Sequence, residues 1–263
     1  MFDEANNIEN KVLLYQGKNI PKIDLISSLS KIKDLMVKTC RYFFAGPGVG
    51  NTAPFKGFLL YGPPGTGKTE LSKQVVRELD ETLGNFANIY LLFIDGSVIA
   101  APKWGEAEQR LRAIFSYAEY LEKKKGVTHP KVILLFDDIE SLMLGRGAEL
   151  AKEWHYSINS VFFHGVDNIN PTNTLIFATT NKEELVDDAI RDRLYPIKVT
   201  PPSIDELMNI ANEILEITGV SNTKKEKVLK YIKNKLMEIE NPSIRDVKSL
   251  TIIKCIEDGV WWG

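Results

Sequence analysis

The chain has 263 residues, 44% of them hydrophobic and 26% charged, which suits one globular core or a medium domain with a small satellite. Its apolar runs fall far short of the roughly 18 residues of a membrane helix, and its start, Met1 to Glu4, is unlike a secretory signal, so we expect a cytosolic protein. The 33 basic and 35 acidic residues nearly balance, so the net charge does not indicate a nucleic-acid partner, and the two cysteines and three histidines lack the spacing of a disulfide framework or a metal site.

Residues 1–56 are predicted to hold one helix and a flexible linker. Apolar residues recur at helical spacing from Leu25 to Met36, and a loop rich in Gly and Pro follows from Phe44 to Pro54. Its run Gly46 to Asn51 superficially resembles a phosphate-binding loop. No strand precedes that run and no Lys-Ser/Thr pair ends it, so we interpret it as a linker.

Residues 57–201 are predicted to form an α/β domain with a parallel sheet flanked by helices. Five short apolar runs, each expected to be buried on both faces, alternate with amphipathic segments of helical period. The predicted strands are Gly57 to Tyr61, Ile89 to Asp95, Val132 to Asp137, Leu175 to Thr180 and Tyr195 to Thr200. Residues 202–263 are predicted to form a small all-helical lid, with helices near 203–218, 223–239 and 243–258.

The most specific motif is the run from Gly62 to Thr69, which matches GxxxxGK[ST] directly after a strand and at the start of a helix. Its glycines let successive backbone N–H groups point at a phosphate, and the helix adds its positive end. Lys68 is expected to reach the β and γ phosphates of ATP, and the Thr69 hydroxyl to bind Mg²⁺. The predicted nucleotide-binding residues are Gly62, Pro63, Pro64, Gly65, Thr66, Gly67, Lys68, Thr69 and Glu70. With this motif, the α/β domain is predicted to have the fold class of P-loop NTPases.

A second motif is the acidic end of the strand that begins at Val132. Asp137 and Asp138 follow its apolar residues, which places two carboxylates at the carboxyl edge of the sheet, where ligands bind in open α/β folds. Asp137 is predicted to be the second Mg²⁺ ligand beside Thr69. The alternative is a simple turn at the end of the strand.

With these two motifs, the chain resembles the AAA+ ATPases from about residue 57 to residue 258. The segment Asp95 to Glu108 is similar to the family's second strand, central-pore loop and following helix, and Ala178 to Asn181 is similar to its sensor strand. The resemblance implies that Asn181 is a catalytic residue that contacts the attacking water or the γ phosphate. The alternative for Asn181 is a cap of the next helix.

The resemblance also identifies the residue that polarises the attacking water. In this fold it usually follows the metal-binding aspartate and is usually a glutamate, whereas this chain has Asp138. The side chain is about 1.5 Å shorter, and misplacing a catalytic group by that much costs on the order of 100-fold. Glu140 is the alternative base.

Two arginines complete the catalytic set that the resemblance implies. The segment Asp188 to Leu194 stands where the family supplies an arginine to the neighbouring subunit's nucleotide, and Arg193 is the predicted finger, with Arg191 in reserve. The alternative is that these arginines pair on the surface with Asp187, Asp188 or Asp192. Arg245, at the start of a lid helix, is the predicted sensor-2 residue, and the alternative is a solvated arginine paired with Asp246 or Glu240.

Four features together are similar to the pachytene-checkpoint type of AAA+ remodeller, which acts on HORMA-domain proteins. They are the finger, the sensor-2 arginine, the run from Glu140 to Leu142 and the run from Thr200 to Ser203. The resemblance implies a homo-oligomer, as a hexameric ring or a helical assembly, with a protein substrate gripped by Trp104. That aromatic residue stands one place later than in the family pattern. Its alternative is a tryptophan packed beneath the loop.

Two other functions are open: a nucleic-acid machine of the clamp-loader, initiator or helicase-loader type, and an ATP-controlled scaffold. The first has support from lysines at 123–125 and from a lysine-rich lid helix between Lys224 and Lys235. A solvated lysine face is the simpler interpretation of that helix. Nothing in the sequence indicates base recognition, so we favour protein remodelling.

Overall fold

Six strands form one sheet in the computed structural model, which describes residues 12–46, 53–99, 105–141, 152–183, 188–217 and 221–259. The strands are β1 (Leu13–Gln16), β2 (Gly57–Tyr61), β3 (Ile89–Asp95), β4 (Lys131–Asp137), β5 (Thr174–Thr180) and β6 (Tyr195–Lys198). Their order across the sheet is β1-β3-β4-β5-β2-β6. Every neighbouring pair is parallel except β1 and β3, so the carboxyl ends of β2, β4 and β5 meet at one edge.

Helices cover both faces of this sheet. The helices of the described residues are α1 (Ser27–Ala45), α2 (Lys68–Leu83), α3 (Gly96–Ile99), α4 (Glu106–Glu122), α5 (Lys152–Asn168), α6 (Asp188–Arg191), α7 (Ile204–Ile217), α8 (Asn222–Glu238) and α9 (Ile244–Glu257), with 3-10 turns at Gly17–Asn19 and Ile139–Ser141. Residues of α1 and α2 pack on one face, and residues of α4 and α5 pack on the other. Because β4 and β5 lie between two apolar layers, their side chains up to residue 136 and 180 respectively are buried throughout. Among these helices none has both the length and the apolar character of a membrane span.

The predicted strands are confirmed, with ends that differ by no more than two residues. The expectation that all of them are buried on both faces is wrong for β6, where only Ile197 is buried. That strand forms an edge of the sheet, and Pro196, which has no N–H to donate, is tolerated there.

Strand β1 was not predicted, because residues 1–56 were expected to hold only a helix and a linker. Its four residues run antiparallel to β3, from Leu13 opposite Phe93 to Gln16 opposite Tyr90. Leu13 and Leu14 are both exposed, so the strand lacks the alternation of buried and exposed residues that sequence patterns detect. The predicted helix is α1, and it packs on the sheet domain rather than apart from it.

Helices α7 to α9 have an apolar core of their own. Its fully buried members include Leu207, Leu215, Ile232, Leu236 and Val247. Helix α9 starts with a reciprocal cap, since Ser243 accepts a hydrogen bond from the N–H of Asp246 and the Asp246 carboxylate accepts one from the N–H of Ser243. A separate core agrees with the lid that the sequence predicts, and the boundaries of that lid stay a prediction.

Candidate nucleotide-binding site

The loop from Gly62 to Thr69 joins the end of β2 to the start of α2 at the carboxyl edge of the sheet. Gly65 and Gly67 have φ angles of 74° and 92°, in the left-handed region that glycine adopts without strain. A β-carbon added to Gly65 would lie 2.7 Å from Ser243 Oγ, so the lid approaches the loop too closely for a side chain. The sequence places glycine where the backbone turns and where the lid touches it.

Lys68 folds back over this loop. Its Nζ donates to the carbonyl oxygens of Gly62 and Pro63, both at 2.8 Å, and to Asn181 Oδ1 at 2.7 Å. Burial lowers the pKa of Lys68, while Asp138, Glu140 and Asp137 act in the opposite direction. The ammonium group is therefore held at the centre of the site, with three donors directed by protein oxygens.

Two hydroxyl groups converge on the Asp137 carboxylate. Thr69 Oγ1 and Thr179 Oγ1 each donate to Asp137 Oδ1 at 2.6 Å. These oxygens are ligands of the kind that Mg²⁺ prefers, so the predicted pair of Thr69 and Asp137 fits that ion. Thr179 was not predicted. The available signal was its place in the run from Ala178 to Asn181, on the strand that pairs with β4.

Asp138 follows the strand in a turn with a φ angle of 51°. Its N–H donates to Thr179 Oγ1 at 3.0 Å, and its Oδ1 accepts from Asn181 Nδ2 at 3.0 Å. Burial raises the pKa of Asp138, as do the neighbouring charges of Asp137 and Glu140, whereas Lys68 lowers it. The residue is exposed and lies beside the predicted sensor, as a base acting on water requires.

Glu140, the alternative base, lies deeper in the protein and is 9% exposed. Its Oε1 accepts from the N–H of Asn181 at 3.1 Å, and its Oε2 is buried without a hydrogen-bond partner among the described residues. The side chain and backbone of Asn181 thus join Lys68, Asp138 and Glu140 in one cluster. We call Lys68, Thr69, Asp137, Asp138, Glu140, Thr179 and Asn181 the phosphate cluster.

The other predicted loop residues support the shape of the loop. Thr66 is buried, and its hydroxyl donates to the Pro63 carbonyl at 3.0 Å. Glu70 accepts from Gln74 Nε2 at 2.7 Å, on the first turns of α2. Pro64 is exposed.

Arg245 lies on the lid side of the loop. A β-carbon added to Gly65 would lie 3.7 Å from Arg245 Cβ, so the backbone of the predicted sensor-2 residue is adjacent to the phosphate loop. The guanidinium is exposed, and the described residues include no ion pair to Asp246 or Glu240. Asp246 instead bonds Ser243 in the cap of α9.

Arg193 lies just before β6, at the amino ends of the parallel strands and thus opposite the carboxyl edge where the phosphate cluster lies. Its Nε donates to Asp167 Oδ1 at 2.6 Å and another guanidinium nitrogen to Asp167 Oδ2 at 2.8 Å, and the group lies 5.0 Å from the centre of the Phe163 ring. We call Arg193, Asp167 and Phe163 the arginine cluster. The sequence did not suggest Asp167 as a partner, and Asp187, one of the aspartates that it did suggest, lies outside the described residues. The reserve residue, Arg191, pairs with Glu183 at 3.4 Å.

The length of strand β2 gives an estimate of the distance between the two clusters. The N–H of Lys56, just before β2, donates to the Arg193 carbonyl at 2.7 Å, whereas Gly62 follows the other end of the strand. The six residue steps from Lys56 to Gly62, at about 3.3 Å each, separate these points by roughly 20 Å. An arginine side chain cannot span that distance to the phosphate loop of its own chain. Trp104, the predicted substrate-gripping residue, lies outside the described residues.

Residues 58–201 match the model of the ATPase family associated with various cellular activities (AAA). A relative from Corynebacterium efficiens, described as an AAA ATPase forming ring-shaped complexes, is 34% identical over 138 residues, which are 52% of this chain and 26% of the relative. A proteasome-associated ATPase from Jonesia denitrificans is 30% identical over 229 residues, or 81% of this chain and 40% of that protein. The chain thus spans between about a quarter and two fifths of these curated relatives.

Solved structures share the fold at lower identity. One from a complex of HORMA, CdnC and Trip13 of E. coli MS115-1 has a TM-score of 0.71 at 19% identity, covering 94% of this chain and 88% of that one. The AAA domain of FIGL-1 in complex with ADP has a TM-score of 0.69 at 22% identity, covering 98% and 82%. C. elegans PCH-2 has a TM-score of 0.68 at 19% identity, covering 94% and 76%. The family match spans more than half of the chain and includes the whole phosphate cluster, so this chain belongs to the AAA family of ATPases.

Proposed function

We propose that this chain binds Mg²⁺-ATP at the loop from Gly62 to Thr69, hydrolyses it, and uses the hydrolysis to remodel a protein substrate as part of a homo-oligomer, a hexameric ring or a helical assembly. The observation that carries the proposal is the phosphate cluster. Lys68 and Thr69 at the start of α2 are hydrogen-bonded to residues at the ends of two other strands, Lys68 to Asn181 at 2.7 Å and Thr69 to Asp137 at 2.6 Å.

In this proposal Lys68 exchanges its carbonyl partners for phosphate oxygens. An ammonium held by two carbonyls and an amide oxygen is already directed into the loop, so little reorganisation is needed to bind an anion there. Thr69 and Asp137 would hold Mg²⁺, which supplies positive charge to the β and γ phosphate oxygens. The N-terminal end of α2 adds its dipole to the same point.

Asp138 is the proposed general base. Its carboxylate takes a proton from the attacking water while the water oxygen bonds to the γ phosphorus, and the bond from phosphorus to the bridging oxygen breaks with its electrons left on ADP. Asn181 Nδ2 donates to Asp138 Oδ1 and fixes that carboxylate. Glu140 remains the alternative base, although its hydrogen bond to the backbone of Asn181 and its burial favour a supporting role.

The arginine cluster supports action in an assembly. The backbone of Arg193 lies roughly 20 Å from the phosphate loop of its own chain, as estimated from the strand between them, so Arg193 can complete a nucleotide site only on another copy. A related ATPase is described as forming ring-shaped complexes, and one structural neighbour was solved in a complex with HORMA and CdnC. Both favour an oligomer that acts on protein, and we propose that Trp104 contacts that substrate. A cytosolic location also stays a proposal.

A nucleic-acid function is the second candidate, and the outer face of α8 is the observation that favours it. Lys224, Lys227, Lys230 and Lys233 are exposed there. Two other lysines of the helix are paired, Lys225 with Glu216 at 3.0 Å and Lys235 with Glu238 at 2.7 Å. An exposed basic face binds phosphate backbones without reading sequence.

One assay separates these functions: ATP turnover with Mg²⁺, measured alone, with single-stranded DNA, with duplex DNA and with a chemically unfolded protein. Protein remodelling predicts stimulation by the unfolded protein alone. Stimulation by DNA that falls steeply as the salt concentration rises would favour the nucleic-acid function over protein remodelling. Turnover that no polymer changes would favour an ATP-controlled scaffold, and no turnover in the assembled protein would contradict ATP hydrolysis itself.

A further inference from the structure

Glu206 joins the lid to the first turn of α1, beside the phosphate loop. The N–H of Ser28 donates to Glu206 Oε1 at 2.9 Å. The other carboxylate oxygen, Oε2, accepts from the N–H of Ser203 at 3.0 Å and from its hydroxyl at 3.1 Å. The N–H of Glu206 donates back to Ser203 Oγ at 3.2 Å. One oxygen therefore caps α7, the helix that contains Glu206, and the other bonds a different helix.

Helix α1 has no side-chain cap at its N-cap residue. The residue before its first turn, Ile26, makes no side-chain capping bond, and the first turn contains no acidic residue. The first N–H groups of a helix need acceptors, and a negative charge there also interacts favourably with the helix dipole. Glu206 of the lid supplies both the acceptor for the N–H of Ser28 and the negative charge at the start of α1.

The joined elements meet on the phosphate loop. A β-carbon added to Gly67 would lie 3.0 Å from Leu29 Cδ1, one residue after Ser28, and 3.4 Å from Ile244 Cδ1 at the start of α9. Leu29 is 2% exposed. The loop is thus enclosed between the start of α1 and the start of a lid helix, and Glu206 is the charged group that links these two sides.

We propose that Glu206 is a positioning residue that fastens the lid to α1 and so holds both against the phosphate loop in the orientation that binds nucleotide. The proposal rests on the proposed nucleotide-binding function. Burial would raise the pKa of Glu206, but the hydrogen bonds from Ser28 and Ser203 outweigh it and hold that pKa below its ordinary value. The carboxylate is therefore charged at neutral pH, as a link between two helix N-termini requires.

The test compares Glu206→Gln with Asp205→Asn, which removes a negative charge from the neighbouring, exposed position of α7. The amide keeps the size of Glu206 but loses the charge and part of its acceptor capacity. We expect Glu206→Gln to weaken Mg²⁺-ADP binding about tenfold in titration calorimetry, the scale of one lost charged hydrogen bond. Amide hydrogen exchange at the start of α1 should rise in the nucleotide-free protein. Asp205→Asn should change neither.

A second variant separates a link from a simple helix cap. Ser27 is exposed in the first turn of α1, so Ser27→Asp gives that helix its own negative charge. In the double variant with Glu206→Gln, we expect exchange at α1 to return towards wild type while ADP affinity stays weak. Restored ADP affinity in the double variant, or unchanged affinity in Glu206→Gln alone, would overturn the positioning role.

Failure of the proposed function gives a different result. If wild type and Asp205→Asn both bind no ADP, nucleotide binding itself is contradicted. Hydrogen exchange then tests the link between the lid and α1 by itself. Faster exchange at the starts of both α1 and α7 in Glu206→Gln would support the link, and unchanged exchange would overturn it.

Discussion

The phosphate cluster and the arginine cluster lie at opposite edges of the same sheet and are built differently. In the first, Lys68 is 6% exposed and its ammonium bonds oxygens of the loop and of β5's end. In the second, the side chains of Arg193 and Asp167 are 29% and 50% exposed and bond chiefly each other. One cluster is assembled from three strand ends, whereas the other is an ion pair at the surface.

The difference separates what this chain arranges by itself from what the proposed assembly would complete. The phosphate cluster has its donors and acceptors arranged within the chain, so it is ready to bind a nucleotide. The arginine cluster holds the proposed phosphate ligand about 20 Å from the phosphate loop of the same chain, as estimated along β2. Because the ion pair is partly exposed to solvent, the arginine could exchange Asp167 for a phosphate that a neighbouring copy presents in the proposed assembly. Four changes test this contrast.

The largest effect should come from Lys68→Ala. We expect it to abolish ATP binding, because the variant loses the cation that the glycine loop directs at the phosphates. The readout is the rise in melting temperature on adding Mg²⁺-ATP. Lys73→Ala, on the same helix but over the Phe93 ring, is the control and should keep the rise. If ATP still stabilises Lys68→Ala as much as wild type, the assignment of the phosphate cluster as the nucleotide site is contradicted.

Arg193→Ala should reduce turnover on the order of 10³-fold while sparing ATP affinity, because the arginine acts on charge that develops during the reaction. In wild type, the rate per subunit should rise with protein concentration. Mixing Arg193→Ala with Lys68→Ala subunits should recover part of the activity, where an intact arginine meets an intact loop.

Arg191→Ala is the matched control for that prediction, since Arg191 pairs with Glu183 and is the reserve finger. Loss of turnover in Arg191→Ala rather than Arg193→Ala would exchange their roles. A rate independent of concentration, with no recovery in the mixture, would contradict action between copies.

Asp138→Asn should slow hydrolysis about 10²-fold and leave binding intact, at the low end of what a general base contributes because the side chain is short. Intrinsic turnover of the wild type should also be slow for the same reason. Glu140→Gln is the comparison variant. If it blocks hydrolysis while Asp138→Asn does not, the base is Glu140 and the phosphate cluster uses its buried carboxylate.

The smallest effect should come from Asp167→Asn. The hydrogen bond from Arg193 holds the pKa of Asp167 below its usual range. A depressed folded-state pKa contributes stability above the unfolded pKa of about 3.9, and that stability is lost as pH falls through the folded value. The pair is half exposed, so we expect a loss below about 1 kcal/mol at pH 7.

Urea unfolding at pH 7 and at about pH 3 tests this sign, because the difference between wild type and Asp167→Asn should shrink as the pH falls below the unfolded pKa. Asp192→Asn, at an exposed position near Arg193, is the control. A loss that persists at low pH, or one of several kcal/mol, would mean that the arginine cluster is too strongly held to release Arg193.

The sequence predicted most of the sheet because its inner strands are continuous apolar runs. Strand β2 and β3 have the predicted ends, and β4 and β5 each begin one residue earlier. Strand β1 was missed because it is short, exposed and stabilised by its pairing with β3, which a local pattern does not contain. The prediction that β6 is buried failed for the same reason, since position in the sheet decides burial.

Local sequence therefore determined the loop at Gly62 to Thr69 and the acidic strand end, where adjacent residues act through their own backbone geometry. Only the tertiary structure joined Thr179 to Asp137, Asp167 to Arg193 and Glu206 to Ser28. Each of these pairs unites residues from different elements, and their distances depend on strand order and helix packing. Because β2 and β6 are parallel, the end of β2 and the start of β6 lie at opposite ends of the strands. The phosphate cluster and the arginine cluster of one chain therefore do not meet.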